Sequence, residues 1–400
     1  MPLQLPYTKG APKTDAGSNG SSMPGAKPWG APGVAERYHL ADDSITIAPS
    51  GPGGTNATLK PAGILTEVWL HANASVTNTH GTGTNAADVY RYSSLYQSVS
   101  MKTSPTLATI AADGHMLTLL QFIEQPNGNY EQSSDPDTSI NPLTNASDGF
   151  NFPTTFGGAA AVFRFWLQLP IAIRLAGVPG GIAGPLILQN KRVTNSINIV
   201  FGVTGAASPW SFASTAGFGN APYNVTGNDT SLGTGVIEPW KTLYTVPDDL
   251  RSFPVLGLMR QISEIVQPYA GSGFNYNFEP GGGVLRMLVQ VEDATAKGGV
   301  ATLNVNDLIF RYGLAHTTYN ETPFFNIRRQ RELYGSVLGQ GVYSMDFYTQ
   351  SRSLRDVQAA ENLAAMQFHI DFASTYNPPA NSQVRLLIDK AVTVATTIGK

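Results

Sequence analysis

Residues 163–175 read FRFWLQLPIAIRL. Phe163, Phe165, Leu167 and Leu169 share one side of an extended chain, and Arg164, Trp166 and Gln168 share the other. A two-residue period marks a half-buried β-strand. A membrane-crossing helix needs about 20 consecutive apolar residues, and Arg164 and Arg174 bracket far fewer. The stretch is therefore read as a strand, and the reading extends along the chain in both directions.

Upstream, TEVWLHANASVTNT (66–79) sets Val68, Leu70, Ala72, Ala74 and Val76 against Trp69, His71, Asn73, Ser75 and Thr77. HMLTLLQF (115–122) is read as another strand. Downstream, INIVFGV (197–203) puts Ile197, Ile199, Phe201 and Val203 on one face. Residues 124–156 and 204–236 read as long loops, the second also as a domain junction. The second half repeats this texture in LMRQISEIVQ (258–267), VLRMLVQVED (284–293), GVYSMDFYTQ (341–350), MQFHIDF (366–372) and VRLLIDKAVTV (384–394). Two β-domains of similar size, one per half, explain the pattern better than a single large sheet. Two helices are expected between strands. TPFFNIRRQRELYG (322–335) has Thr322 as N-cap, Pro323 in its first turn and Gly335 as terminator. SLRDVQAAENLAAM (353–366) opens with Ser353 three residues before Asp356 and carries Leu354, Val357, Ala360 and Ala364 along one face.

Composition narrows the class. Apolar residues make up 42% of the chain, which excludes a disordered one. Charged residues reach only 13%, about half the usual ~25%. Such a surface suits either extensive contact with neighbours, whose cores exclude charge, or an ordinary Thr- and Asn-rich β-protein. The net charge of −3 predicts no specific nucleic-acid binding. The absence of cysteine excludes disulfides, thiol catalysis and cysteine–zinc sites. Residues 1–40 are rich in Gly, Pro, Ser and Ala and read as an extended arm, either a flexible leader or a strap on a neighbouring subunit.

Catalytic motifs are missing: there is no phosphate loop, no Gly-x-Ser-x-Gly elbow and no His-Glu-x-x-His pair. Six histidines are scattered singly. The run from Asp135 to Asn141 spaces oxygen ligands as calcium loops do, but has Ala146 where such a loop needs glutamate. Glu67, Glu264, Glu292 and Asp371 lie on strands, with nothing to pair any two of them as a hydrolase needs. Arg328, Arg329 and Arg331 could hold an anion, face solvent or make inter-subunit ion pairs. The segment IAIRLAGVPGGIAGPLILQN (171–190) has Arg174 as its only charge. Its apolar residues are covered either by the chain's own loops or by another copy, with lipid contact a third possibility. No cofactor and no enzymatic activity are expected.

Three sets of segments carry a likeness to a known family: TEVWLHANASVTNTHGT with DVYRYSSLYQSVSM (88–101); FRFWLQLPIAIRL through NKRVTNSINIVFG (190–202); and RRQRELYGSVLGQGVYSMDFYTQ with MQFHIDF. With two successive β-domains and long loops, the chain resembles a double-jelly-roll major capsid protein, a family that includes the tectivirus-like phages. The resemblance implies an all-β fold of two consecutive eight-stranded jelly rolls with short inserted helices. It implies an arm over 1–40, a first jelly roll over 41–235 and a second over 236–400. It further implies a homotrimer with six jelly rolls, a pseudo-hexagonal capsomer tiling an icosahedral shell around a DNA genome. Its partners would be copies of itself, neighbouring capsomers, vertex proteins and, where one is present, an internal membrane. The chain would assemble in the host cytoplasm and reside in the virion. Ile171, Ile173, Ile182, Leu186 and Leu188, with Arg328, Arg329 and Arg331, would then form the subunit interface. The first 40 residues depart from the amphipathic N-terminal helix of some relatives. The alternative is a carbohydrate-binding or glycan-cleaving β-sandwich, which would need a cleft with paired carboxylates.

Overall fold

The structure is a computed structural model. It describes residues 29, 33–47, 54–78, 86–87, 96–103, 108–124, 160–176, 179–188, 195–201, 223–224, 230–248, 252–254, 256–278, 281–292, 300–312, 316–335, 337–339, 341–353, 358–359, 366–380 and 382–393. Among these, each half of the chain contributes eight strands of five or more residues. The first eight are β1 (Arg37–Ala41), β2 (Gly54–Thr58), β3 (Ile64–Asn78), β4 (Tyr96–Lys102), β5 (Ala108–Ala112), β6 (Ala160–Pro170), β7 (Ser196–Phe201) and β8 (Thr230–Tyr244). The second eight are β9 (Leu258–Pro268), β10 (Gly273–Asn277), β11 (Gly283–Glu292), β12 (Val305–Tyr312), β13 (His316–Glu321), β14 (Val342–Asp346), β15 (Met366–Phe372) and β16 (Gln383–Thr393). Two helices join them, α1 (Gly114–Glu124) and α2 (Pro323–Tyr334).

In the first half, a sheet ordered β1-β8-β3-β6 packs over strands β2-β7-β4-β5. In the second, β10-β15-β12-β13 packs over β9-β16-β11-β14. Two four-stranded sheets enclosing one core, made twice over, are two jelly rolls. One core gathers Leu65, Val68, Leu70, Leu167, Leu169 and Ile199. The other gathers Met287, Val289, Phe310, Phe368, Ile370 and Leu386. The alternation read from sequence holds where one sheet face is covered: in β15, Met366, Phe368, Ile370 and Phe372 are buried while Gln367, His369 and Asp371 are half-buried.

The two inner sheets are one. Strand β5 pairs in parallel with β9, Ile110 opposite Ile262 and Ala111 opposite Ser263, so a nine-stranded sheet runs from β14 through β11, β16, β9, β5, β4 and β7 to β2, with Gln358–Ala359 paired on β11. Every residue of β11 is buried as a result. Strands covered on both faces read as near-continuous apolar runs, as VLRMLVQV does.

Three expectations are corrected. HMLTLLQF is helical and lies within α1; Gly114 to Ile123 are all buried, the polar His115, Thr118 and Gln121 along with the apolar residues, so the segment carries no strand period to read. Asp113 caps it, accepting from the Met116 N–H at 2.7 Å. The helix expected over 353–366 is interrupted at Gln358–Ala359, a short strand paired with Gly283–Val284. The loop expected over 204–236 ends early, because β8 begins at Thr230. The position 235/236 lies inside β8, which pairs with β3 along most of its length and with β1 at Trp240–Tyr244. Helix α2 matches its expected bounds, with the Thr322 Oγ1 accepting from the Phe325 N–H and Gly335 at φ 74°. Residues 125–159, which include the Asp135–Asn141 loop, lie outside the described residues.

Of the expected arm, Arg37–Ala41 is β1 of the first sheet, and Trp29 is 2% exposed against Tyr244. The Trp29 indole lies over Gly180, whose backbone sits at φ 71° and has no room for a Cβ beneath the ring. Gly180→Ala should therefore expel Trp29, lowering the thermal midpoint and red-shifting tryptophan emission; an unchanged spectrum and midpoint would contradict this packing.

Candidate assembly surface and the junction of the halves

Three neighbouring strands of the second half carry charges on the face that meets the first half. Strand β9 bears Arg260 and Glu264 on either side of Ile262, β16 bears Arg385 and Asp389 on either side of Leu387, and β11 bears Arg286 and Glu292 on either side of Leu288. The apolar middles, Ile262, Leu288 and Leu387, are buried with Met116, Leu120 and Ile123 of α1. The charges meet the ends of that helix.

At its start, Arg385 binds three carboxylates: its Nη1 lies 2.9 Å from Asp113 and 3.0 Å from Glu264, and its Nε lies 3.0 Å from Glu292. Glu264 also accepts from the Asp113 N–H at 2.6 Å, continuing the β5–β9 ladder past the point where β5 turns into helix. The Gln383 amide donates to Glu292 at 2.6 Å. At the far end, Glu124 lies 2.5 Å from Arg260 and 3.3 Å from Arg286, and Asp389 lies 2.7 Å and 3.3 Å from the same pair. Two arginines here suit the negative end of the helix dipole.

The two clusters differ in charge. The far one balances, two arginines against two carboxylates, whereas the near one sets three carboxylates against a single arginine. Burial and the neighbouring Asp113 push Glu264 up to about 7, against the pull of Arg385. Burial likewise raises Asp113. Burial pushes Glu124 up too, but the Arg260 and Arg286 guanidiniums outweigh it and hold the carboxyl at about 2.

The residues expected at a subunit interface separate into two groups. Ile171 and Leu188 belong to the first core, and Ile173 packs with Leu175, Leu258 and Tyr348 at the junction. These three are buried within one chain and have no face left for another; the covering by the chain's own structure is what occurs. Ile182 and Leu186 are half-buried, Leu186 against the first core. Arg329 also turns inward, 2.8 Å from Glu321 and over the Tyr319 ring. Arg328 and Arg331 face outward, Arg328 pairing within α2 with Glu332 at 3.1 Å.

Helix α2 is turned inside out. Its buried face is polar: the Asn326 amide donates to the Ser344 carbonyl at 2.8 Å and accepts from the Ser344 N–H at 3.1 Å, while Gln330 donates to the Val342 carbonyl at 3.0 Å. Its outer face carries Phe324 and Phe325, 60% and 53% exposed. A second apolar face lies on the outer side of the first sheet. There Trp240 pairs across strands with Trp69, and the His71 and Trp166 rings stack at 4.1 Å in the next row. Sequence reasoning missed both faces; the adjacent phenylalanines of FFNIRRQ and the tryptophans at alternating strand positions were the available signal.

Solved structures show which fold this is. The STIV MCP aligns with a TM-score of 0.61 at 12% identity, covering 90% of this chain and 97% of that one. The atomic structure of Sulfolobus Turreted Icosahedral Virus gives 0.59 at 12%, covering 90% and 91%. The PBCV-1 virus capsid gives 0.58 at 10%, covering 89% and 93%. The chain has the double-jelly-roll fold of viral major capsid proteins. No family model matches the sequence, and no curated protein does. Within this double jelly roll, the hydrolase alternative finds its carboxylates engaged elsewhere: Glu264 and Glu292 share Arg385, and Glu67 accepts from Gln168 at 2.6 Å and Arg37 at 3.2 Å.

The clusters give stability opposite dependences on pH. The folded protein keeps a proton on Glu264 up to about pH 7, whereas the unfolded chain releases it near its ordinary 4.5. This contribution is full below pH 4.5 and is lost as pH rises to about 7. Glu124 contributes fully above its unfolded 4.5 and loses that as pH falls to about 2. Denaturant unfolding should show stability falling from pH 5 to 8, by up to about 3 kcal/mol from Glu264. Glu264→Gln should flatten that slope, and an equally steep slope in the variant would refute the assignment. Arg260→Ala, which strips both Glu124 and Asp389 of a partner, should cost about 3–5 kcal/mol at pH 7.

Proposed function

We propose that this chain is a viral major capsid protein whose work is mechanical: it assembles as a trimeric, pseudo-hexameric capsomer that tiles an icosahedral shell. The observation that carries this reading is the fusion of two eight-stranded jelly rolls through one continuous sheet. Two similar units held at a fixed angle supply a third of a hexagon, and three copies close it through a ring-forming interface. The outward face of α2, with Phe324, Phe325, Arg328 and Arg331, supports one side of that interface. The Trp69–Trp240 face supports another, since aromatic residues and arginine are what interface cores collect. Ile182 and Leu186, half-buried at the rim of the junction, complete the contacts we assign.

On this reading the partners are copies of the same chain, neighbouring capsomers and vertex proteins at the fivefold corners, and the destination is the virion. Among the described residues no helix is long and apolar enough to cross a membrane, so we assign no membrane contact to α1 or α2. The carboxylates at the two ends of α1 are engaged by Arg260, Arg286 and Arg385, and we assign the chain no enzymatic step.

Light scattering tests the reading directly. The purified chain should run at three times its 42.6 kDa, and a stable single-chain mass would overturn the capsomer. Phe324→Asp combined with Phe325→Asp should return the protein to single chains with unchanged circular dichroism. Two phenylalanines lost from an interface cost roughly 3 kcal/mol or more, over 100-fold in association.

A further inference from the structure

Beside the neutral cluster, a cleft of about 280 Å³ opens between the first and second halves. Arg37 and Arg174 reach it from the first half and Arg352 from the second. It adjoins a water-sized nook of about 20 Å³ that shares Glu124, Arg174 and Arg352 as walls and ends on Arg286 and Tyr348. Those last two side chains are 2% and 5% exposed, yet the Arg286 Nη1 and the Tyr348 hydroxyl have no hydrogen-bond partner in the protein. A buried guanidinium N–H and a buried phenol without acceptors are rare and call for one.

The charge balance says what kind. Four arginines line the cleft and nook against two carboxylates. Both carboxylates are already engaged, Glu124 by Arg260 and Arg286 and Glu67 by Gln168 and Arg37. Arg174 reaches Glu67 only at 3.8 Å, and most of its five N–H donors are unspent. Arg352 is fixed in place by backbone: it sits at φ 49°, its N–H donates to the Tyr348 carbonyl at 2.7 Å, and its own carbonyl accepts from Ala176 of the other half at 2.8 Å. A non-glycine residue held in the left-handed region is uncommon and costs energy. Donors converging from several sides, most of them guanidinium, match a tetrahedral oxyanion better than a planar or neutral ligand.

We propose that this cleft binds a small phosphate-class oxyanion, gripped by Arg174 and Arg352, with one oxygen entering the nook to meet Arg286 and the Tyr348 hydroxyl. Residues of both halves hold the ion, so binding ties the jelly rolls together beside α1. The site is independent of oligomerisation: every ligating group comes from one chain.

The test uses the full chain at pH 7, unfolded thermally in sodium phosphate and in sodium chloride of equal ionic strength. Phosphate should raise the midpoint saturably, by at least about 2 °C. Because phosphate also stabilises proteins by exclusion from their surfaces, variants decide the matter. Arg352→Ala and Tyr348→Phe should each lose at least half of the shift, and Lys60→Ala, outside the cleft, should keep it. Tyr348→Phe removes only a hydroxyl, so folding is not at stake. Glycerol 3-phosphate run in parallel distinguishes the source: a shift with inorganic phosphate alone means a free anion, and a shift with both means that a phosphate ester also fits. A non-saturable shift, or one retained in full by both cleft variants, overturns the proposal.

Discussion

Everything in this molecule depends on a joint of two residue pairs. Among the described residues, the parallel contact of Ile110 and Ala111 with Ile262 and Ser263 is all the backbone that fuses two sheets into one, and a ladder that short is weak by itself. Helix α1 supplies the rest, burying ten consecutive residues across the seam and presenting Asp113 and Glu124 to charged rows of β9, β11 and β16. Such buried ion pairs return little net stability, because desolvating the ions consumes most of their attraction. What they impose is geometry. Arg385 reaches all three of its carboxylates, and Arg260 both of its own, only when α1 lies in one position over the strands.

Where one face of a strand is wet, the sequence spelled it out. The alternation of MQFHIDF is the pattern that one covered face produces; in FRFWLQL, Leu167 and Leu169 face the core as read, although Gln168 opposite them is buried too. Helix α2 was legible because its ends are written in cap chemistry at Thr322, Pro323 and Gly335. Legibility failed where burial is complete. HMLTLLQF is buried all round, so its apolar residues show no strand alternation; the signal for a helix was the polar set His115, Thr118 and Gln121 at every third residue, with Asp113 placed as a cap just before it. The β5–β9 pairing joins residues about 150 positions apart, and no local pattern announces a parallel partner so distant.

The covering of the apolar segment 171–190 was illegible for a related reason. Ile171, Ile173 and Leu188 sit in an irregular, proline-broken segment, which looked too apolar for the chain to cover unaided. The chain's own structure covers it: the first core takes Ile171 and Leu188, and the second half supplies Leu258, Leu285 and Tyr348 over Ile173. Conversely, of the charged residues of β9, β11 and β16 only Glu264 and Glu292 stood out in the sequence, as strand carboxylates with nothing to pair them. The spacing of the full set, a charge on either side of an apolar residue in three separate segments, was the trace of a helix laid across them. Reading it requires knowing that the three strands are neighbours.

Helix α2 has a consequence for how copies of this chain can meet. A sheet edge is a template: its unpaired amides and carbonyls accept any passing strand, and such additions are strong and hard to undo. Here Asn326 offers β14 an amide N–H and a carbonyl oxygen at once, and one turn on Gln330 donates to the Val342 carbonyl while accepting from the Leu338 N–H just before the strand. The side-chain amides of a helix thus stand in for the missing strand and end the sheet. A subunit finished in this way cannot knit into fibres through this edge, however concentrated it becomes. In the assembly we propose, neighbours would meet here through side chains alone, in contacts weak enough to let a misplaced copy leave and try again.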